Sequence, residues 1–229
     1  MKDKVRIGRR ALLLGAGPIA TATLLASAGP GQGRSGDSYT PAFFTAKEWA
    51  FINAAVDRLI PSGGGGPGGV ESGVPEFIDR QLELPFGHGA YFYMAGPFQP
   101  DAPAQLGYQL RYTPRELYRL GIVAIDDTCR RRWDKTFAEL DAQSQDAFLT
   151  LLETGESGIP GPMPGAFFTQ MLENTKEGYF ADPLHGGNRG MAAWKWIGFP
   201  GARADFTDWL DQAGRAYPYG PVSISGMRG

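Results

Sequence analysis

Thr45-Ala46-Lys47-Glu48 is the tightest local constraint in this 229-residue chain. A Thr followed three residues later by Glu satisfies two orphan amides at once and opens a helix. Behind it Trp49, Ile52, Val56 and Leu59 recur at spacings of three and four until Pro61, which predicts an amphipathic helix of about 15 residues. The same grammar repeats along the chain. Pro75 to about Leu84 places Phe77, Ile78 and Leu82 on one side, with proline at the first helical position. Thr113-Pro114-Arg115-Glu116 opens the longest run, to about Phe137, with one stripe of Tyr118, Ile122, Ile125, Cys129 and Trp133 and a second of Leu117, Leu120 and Ala124. An apolar arc that wide predicts a central helix. Asp141 caps a fourth helix carrying Ala147, Phe148, Leu151 and Leu152, and a fifth runs from about Ala166 to Lys176 with Phe167 or Phe168, Met171 and Leu172 inward. Shorter helical pieces are expected near Met191 to Ile197 and Asp205 to Ala213. Helical periods without a convincing strand alternation predict an all-α fold, an irregular helical bundle.

The connections are long because 33 Gly and 18 Pro must be placed. Gly155 to Gly165 reads as a Pro/Gly loop, and Ser62 to Gly69 as a flexible one lacking the Gly-Lys-Ser/Thr ending of a phosphate loop. Pro85 to Thr113 has no sustained period but holds Tyr91, Phe92, Tyr93 and Phe98, a candidate contact patch.

Residues 1–28 read as an export signal: cations Lys2, Lys4, Arg6, Arg9 and Arg10, an apolar run from Ala11 to Ala26, and the small-residue cleavage pattern Ala26-Ser27-Ala28. Arg9-Arg10 followed by Ala11-Leu12-Leu13 resembles the twin-arginine signal, which exports cargo already folded, although Gly8, Leu12 and Leu14 depart from its usual residues. The run is too short and too interrupted by Gly15, Gly17 and Pro18 for a spanning helix, so no transmembrane span is expected after cleavage. Gly15-Ala16-Gly17-Pro18-Ile19-Ala20 fits a dinucleotide fingerprint by letter only, since the cationic stretch before it is no buried strand. The expected organisation is signal 1–28, linker 29–44 and one helical domain 45–229. Without the signal, 17 cationic and 23 anionic residues remain, a net −6 that makes nucleic acid an improbable partner. Arg130-Arg131-Arg132 fits the solvated side of a helix.

One Cys and two His cannot supply a Cys-rich zinc site, an iron–sulfur cluster or a c-type haem motif. Asp182 stands three residues before His185 and could orient it as a general base, but no nucleophile or second acid accompanies the pair; a turn capped by Asp182 accounts for the same residues. His88 lies between two glycines in a loop, and Asp126-Asp127 point in different directions on a helix. Cys129 is either buried as a small hydrophobe or bonded to another chain, and its place on the apolar stripe favours burial.

The stretch Asp182-Pro183-Leu184-His185-Gly186-Gly187-Asn188-Arg189, followed by Trp194-Lys195-Trp196-Ile197-Gly198-Phe199-Pro200-Gly201, resembles the signature of the gluconate 2-dehydrogenase subunit 3 family. The order of parts agrees: a Thr-x-x-Glu helix ending in Leu-Ile-Pro, a Gly-rich loop, Gly-Val-Pro-Glu-Phe-Ile-Asp, then Phe137-Ala138-Glu139-Leu140. His185 replaces the aromatic residue expected at its position. The resemblance implies a periplasmic, non-catalytic accessory subunit with no cofactor of its own. Its partners would be a large FAD-dependent dehydrogenase subunit, whose export, maturation or stability it serves, and a multihaem cytochrome c subunit that takes electrons toward quinone. The partner interface would then include Asp182, His185, Gly186, Gly187, Asn188, Arg189, Trp194, Trp196 and Phe199, with Cys129 available for an inter-subunit disulfide. Trp194 and Trp196 could equally fill this subunit's core, and Arg189 could close an internal turn. Other readings of the chain are an interaction subunit of a different secreted complex and an independent enzyme using Asp182 and His185.

Overall fold

The computed structural model describes residues 39–63 and 65–229. Arg9, Arg10, Ala26 and Ala28, on which the export reading rests, lie outside the described residues.

Six α-helices form where the caps and stripes place them: α1 (Ala46–Leu59), α2 (Val74–Glu83), α3 (Pro114–Trp133), α4 (Ala142–Glu153), α5 (Met163–Phe180) and α6 (Ala192–Ile197). The described residues contain no strand, only isolated bridges of Val222 with Gly201 and Arg228. Both predicted capping boxes are made: Thr45 and Glu48 exchange hydrogen bonds at the start of α1, Thr113 and Glu116 at the start of α3. Asp141 caps α4 by accepting from the Ser144 amide at 2.8 Å. The all-α bundle expected from the periods is therefore the fold.

Several elements differ from expectation. α3 stops at Trp133 because Asp134 turns into the left-handed region at φ 56°. Phe137 instead begins a separate 3-10 turn, Phe137–Glu139, capped by Thr136 and Glu139. That turn inserts the fully buried Phe137 ring against Phe51, centroids 4.8 Å apart, and its amide donates to Asp126 Oδ1 at 3.0 Å. α5 is longer than expected at both ends. Gly178 does not break it, because the Phe77 ring occupies the place where a Cβ would sit. The expected Asp205–Ala213 helix is reduced to one 3-10 turn, Thr207–Trp209.

α5 packs against each of the other five α-helices and is the hub of the bundle. α3, expected to be central, keeps its first stripe inside from Tyr118 to Cys129 but leaves the last member, Trp133, open to solvent, together with Leu120 and Val123. Between α1, α3 and α5 the core is aromatic: Phe167 lies 5.3 Å from Tyr118 and 6.1 Å from Phe51. Such pairs add about 0.5–1.5 kcal/mol each beyond the area they bury. Tyr118 is fully buried, and its hydroxyl donates to Asn174 Oδ1 at 3.0 Å.

The packed body begins before the linker boundary drawn at residue 44. Phe43 and Phe44 belong to the core, and residues 39–44 are fastened to Asp79 of α2. The Gly-rich loop is fastened too. Tyr179 donates to Pro67 O at 2.7 Å, and burial followed by the charge of Glu71 pushes that phenol's pKa up, so it stays a donor. Cys129 is fully buried on the inner stripe of α3, so a bond to another chain would require its sulfur to leave the core.

Candidate functional site: a looped segment with an open apolar face

Chain reversal after α5 creates the site. Pro183 ends helical pairing, and Asp182 caps the short turn Pro183–His185 by accepting the Leu184 amide at 3.0 Å. Gly186 then takes φ 101°, a region closed to most side chains. Gly187 passes directly over α5, where a Cβ would collide with Gly178 O. Asn188, wholly buried, closes the loop from inside: its amide donates to Ala181 O at 3.0 Å and its carbonyl accepts the Ala193 amide at 2.9 Å. Arg189 reaches α2. Its backbone amide donates to Ser72 O at 2.9 Å, and its guanidinium pairs with Glu76, which also holds Arg80. Arg189 thus makes an internal tie while its side chain stays 61% exposed.

The two tryptophans separate. Trp194 is buried, donates Nε1–H to Phe180 O at 2.8 Å, and packs edge-on against Phe199 at 5.1 Å. Trp196 is 55% exposed and lies flat on the backbone of Gly66, where any Cβ would meet the indole at 2.7 Å. Ile197 and Phe199 are also exposed. The segment thus divides into a half that holds the loop together (Asp182, Gly187, Asn188, Trp194) and a half that leaves apolar surface open. Ten of the 17 exposed large apolar side chains among the described residues lie beyond Tyr179. Apolar surface left open in this way marks interaction sites where it is contiguous.

His185 is exposed and lines a cleft of about 310 Å³ with Arg80, Leu84 and Leu184. Asp182 makes no hydrogen bond to its imidazole; its two carboxylate oxygens instead accept backbone amides, Leu184 on one and Ile224 on the other. The acid–base pair required by an independent enzyme is therefore not assembled. His88 lies 3.1 Å from the Arg115 guanidinium. No group of three His, Cys, Asp or Glu side chains able to hold a metal occurs among the described residues. None of their helices is long and apolar enough to cross a membrane.

Two features carry no clear signal in the sequence. Arg111, Arg115 and Arg119 line a shallow cleft of about 540 Å³, signalled only by their spacing of four. Arg115 is paired there with Glu83 and Arg119 with Glu48, and both guanidiniums stack on Phe43 at 4.7 and 4.2 Å. Arg115 and Arg119 hold the segment before α1 in place. The other is the return of residues 221–228 onto the site, which no local motif announces. In the long loop, Tyr91 and Tyr93 are exposed as expected of a contact patch, while Phe92 packs between Phe86 and Tyr108 at 5.9 and 5.2 Å.

No curated protein and no solved structure matches the chain. A family model described as gluconate 2-dehydrogenase subunit 3 matches residues 46–201, from the first residue of α1 to the glycine that closes the looped segment. With this match over most of its length, the chain belongs to the gluconate 2-dehydrogenase subunit 3 family.

Proposed function

We propose that this chain is the non-catalytic small subunit of a membrane-associated, FAD-dependent dehydrogenase of the periplasm, and that it serves the export, maturation or stability of the large flavoprotein subunit. Family membership supports a role as a subunit within a dehydrogenase complex. The observation that carries the reading furthest is the division of the looped segment. Asp182 and Asn188 spend their polar groups within the chain, while Trp196, Ile197 and Phe199 stand exposed among the described residues. Aromatic side chains of this kind dominate binding energy when a partner desolvates them.

FAD would reside in the large subunit and haem c in a cytochrome subunit that carries electrons away. A chain with an export signal for folded cargo would then escort a cofactor-loaded partner lacking a signal of its own. Deletion of residues 1–28 in the native host tests this, with the flavin absorbance of the periplasmic fraction as readout. Loss of periplasmic flavoprotein is the expected result; undiminished export would overturn the escort role. Expressed alone, the chain should leave a dye acceptor unreduced with sugar acids.

A further inference from the structure

Residues 221–228 lie beyond the part of the chain that matches the family, yet they grip both ends of the looped segment. At the far end the Val222 amide donates to Pro200 O at 3.2 Å, and Val222 O accepts the Ala202 amide at 2.7 Å. At the near end the Ile224 amide donates to Asp182 Oδ2 at 2.7 Å. The return is self-supported: the Met227 amide donates to Ser223 Oγ at 3.1 Å, and the Gly226 amide closes a turn on Ser223 O at 2.9 Å. Between the two grips stands α6, with Trp196 and Ile197 on its open side.

Asp182 bonds to both pieces. Its Oδ1 takes the Leu184 amide of its own turn and its Oδ2 takes the Ile224 amide of the returning strap. A carboxylate suits this position chemically. It offers two acceptor oxygens and no donor, whereas an asparagine has one oxygen and would turn an N–H group toward an amide that is itself a donor.

We infer that Asp182 is a positioning residue: it ties the 221–228 strap to the looped segment and thereby holds Trp196, Ile197 and Phe199 in the arrangement that binds the large subunit. The inference rests on the docking reading given under the proposed function. It assigns Asp182 no contact with the partner and no chemistry.

Two variants of the full chain remove the tie from opposite sides. Asp182→Asn leaves one acceptor for two donors. Ile224→Pro deletes the donor at the second position of the Ser223–Gly226 turn, a place proline commonly occupies, and leaves Asp182 unchanged. Hydrogen exchange should quicken about tenfold in 221–228 and in 196–199 for either variant, as expected for one lost charge-assisted hydrogen bond. The helical core should melt as in the parent. Dissociation of the large subunit should quicken by about the same factor. Unchanged exchange at 196–199 would overturn the tie, and loosened exchange with unchanged dissociation would overturn its role in positioning. If Asp182→Asn does not fold, Ile224→Pro decides alone. Trp196→Ala separates the two ideas: if that variant also holds the large subunit as the parent does, the docking reading has failed, whatever the strap does.

Discussion

Tyr39 donates its hydroxyl to Asp79 at 2.7 Å, joining a residue that precedes every described helix to the inner side of α2. The Ala42, Phe43 and Phe44 amides converge on the same carboxylate at 2.8, 3.0 and 2.9 Å. Asp79 is wholly buried and four donors surround it, so it supplies acceptors that the leading segment cannot find elsewhere. Asp79→Ala should cost about 3 kcal/mol or more, because it strands several buried donors together. The cost would appear in chemical denaturation, and proteolysis should then cut near residues 39–44. A variant within about 0.5 kcal/mol of the parent would show that the leading segment is not held this way.

Three helix glycines should respond differently to alanine. At Gly121 a Cβ would run into the Phe167 ring, and at Gly178 it would meet the Phe77 ring at 2.7 Å. Both rings are buried in the core. Overpacking there costs about 1–3 kcal/mol, against a helix-propensity gain of about 1 kcal/mol. At Gly165 an added Cβ would have nothing within 4 Å, so Gly165→Ala should stabilise α5 by about 0.5–1 kcal/mol. Melting temperatures of the three variants check the order; a stabilising Gly121→Ala would mean that α3 and α5 are less closely packed than described.

Cys129 should be invisible to thiol reagents until the chain unfolds. Burial, and after it the charge of Asp126, push the thiol up to about 12. A raised folded value favours the protonated form, so this group's contribution to stability is complete below its ordinary value of 9.0 and is lost as pH rises through about 12. A colorimetric thiol assay at about pH 8, below the ordinary thiol range, should register none in the native protein and one in denaturant. Cys129→Ser should flatten the alkaline limb of the stability profile. Native labelling, or no free thiol after denaturation, would mean that the cysteine is exposed or bonded to another chain.

The helices were legible because their signals are local. Thr45 with Glu48, Thr113 with Glu116 and the Asp141 cap each act within one turn, and spacings of three and four report a buried face directly. What was not legible depends on distant partners. α5 reads as ending at Lys176 until Gly178 is seen packed under the Phe77 ring, and α3 reads as central until Leu120 and Val123 are found in solvent. Glu76 and Asp79 stand in the Gly-Val-Pro-Glu-Phe-Ile-Asp stretch, but their roles do not show there, since Phe44 lies 35 residues from Asp79 and Arg189 lies 113 from Glu76; nor does any local pattern foretell the Ile224–Asp182 bond, which spans 42. In the looped segment the residue types were legible but their division was not. Trp194 and Trp196 stand two apart on a short helix, and only the positions of Phe180 and Gly66 decide which one is buried.

That division makes the last prediction. Trp194→Ala should unfold the looped segment from α5, because it removes a buried indole, its bond to Phe180 O and the support of Phe199. Large-to-small changes of this kind cost about 3–5 kcal/mol. Trp196→Ala and Phe199→Ala remove surface already open to water, so the isolated subunit should lose no more than about 1 kcal/mol. Their effect should appear in the complex, where truncation of a buried aromatic anchor costs about 2 kcal/mol or more, roughly thirtyfold in affinity. Denaturation of the subunit alone and copurification with the large subunit separate the two effects. If Trp196→Ala and Phe199→Ala destabilise the subunit as much as Trp194→Ala does, all three rings belong to one core and the docking face lies elsewhere.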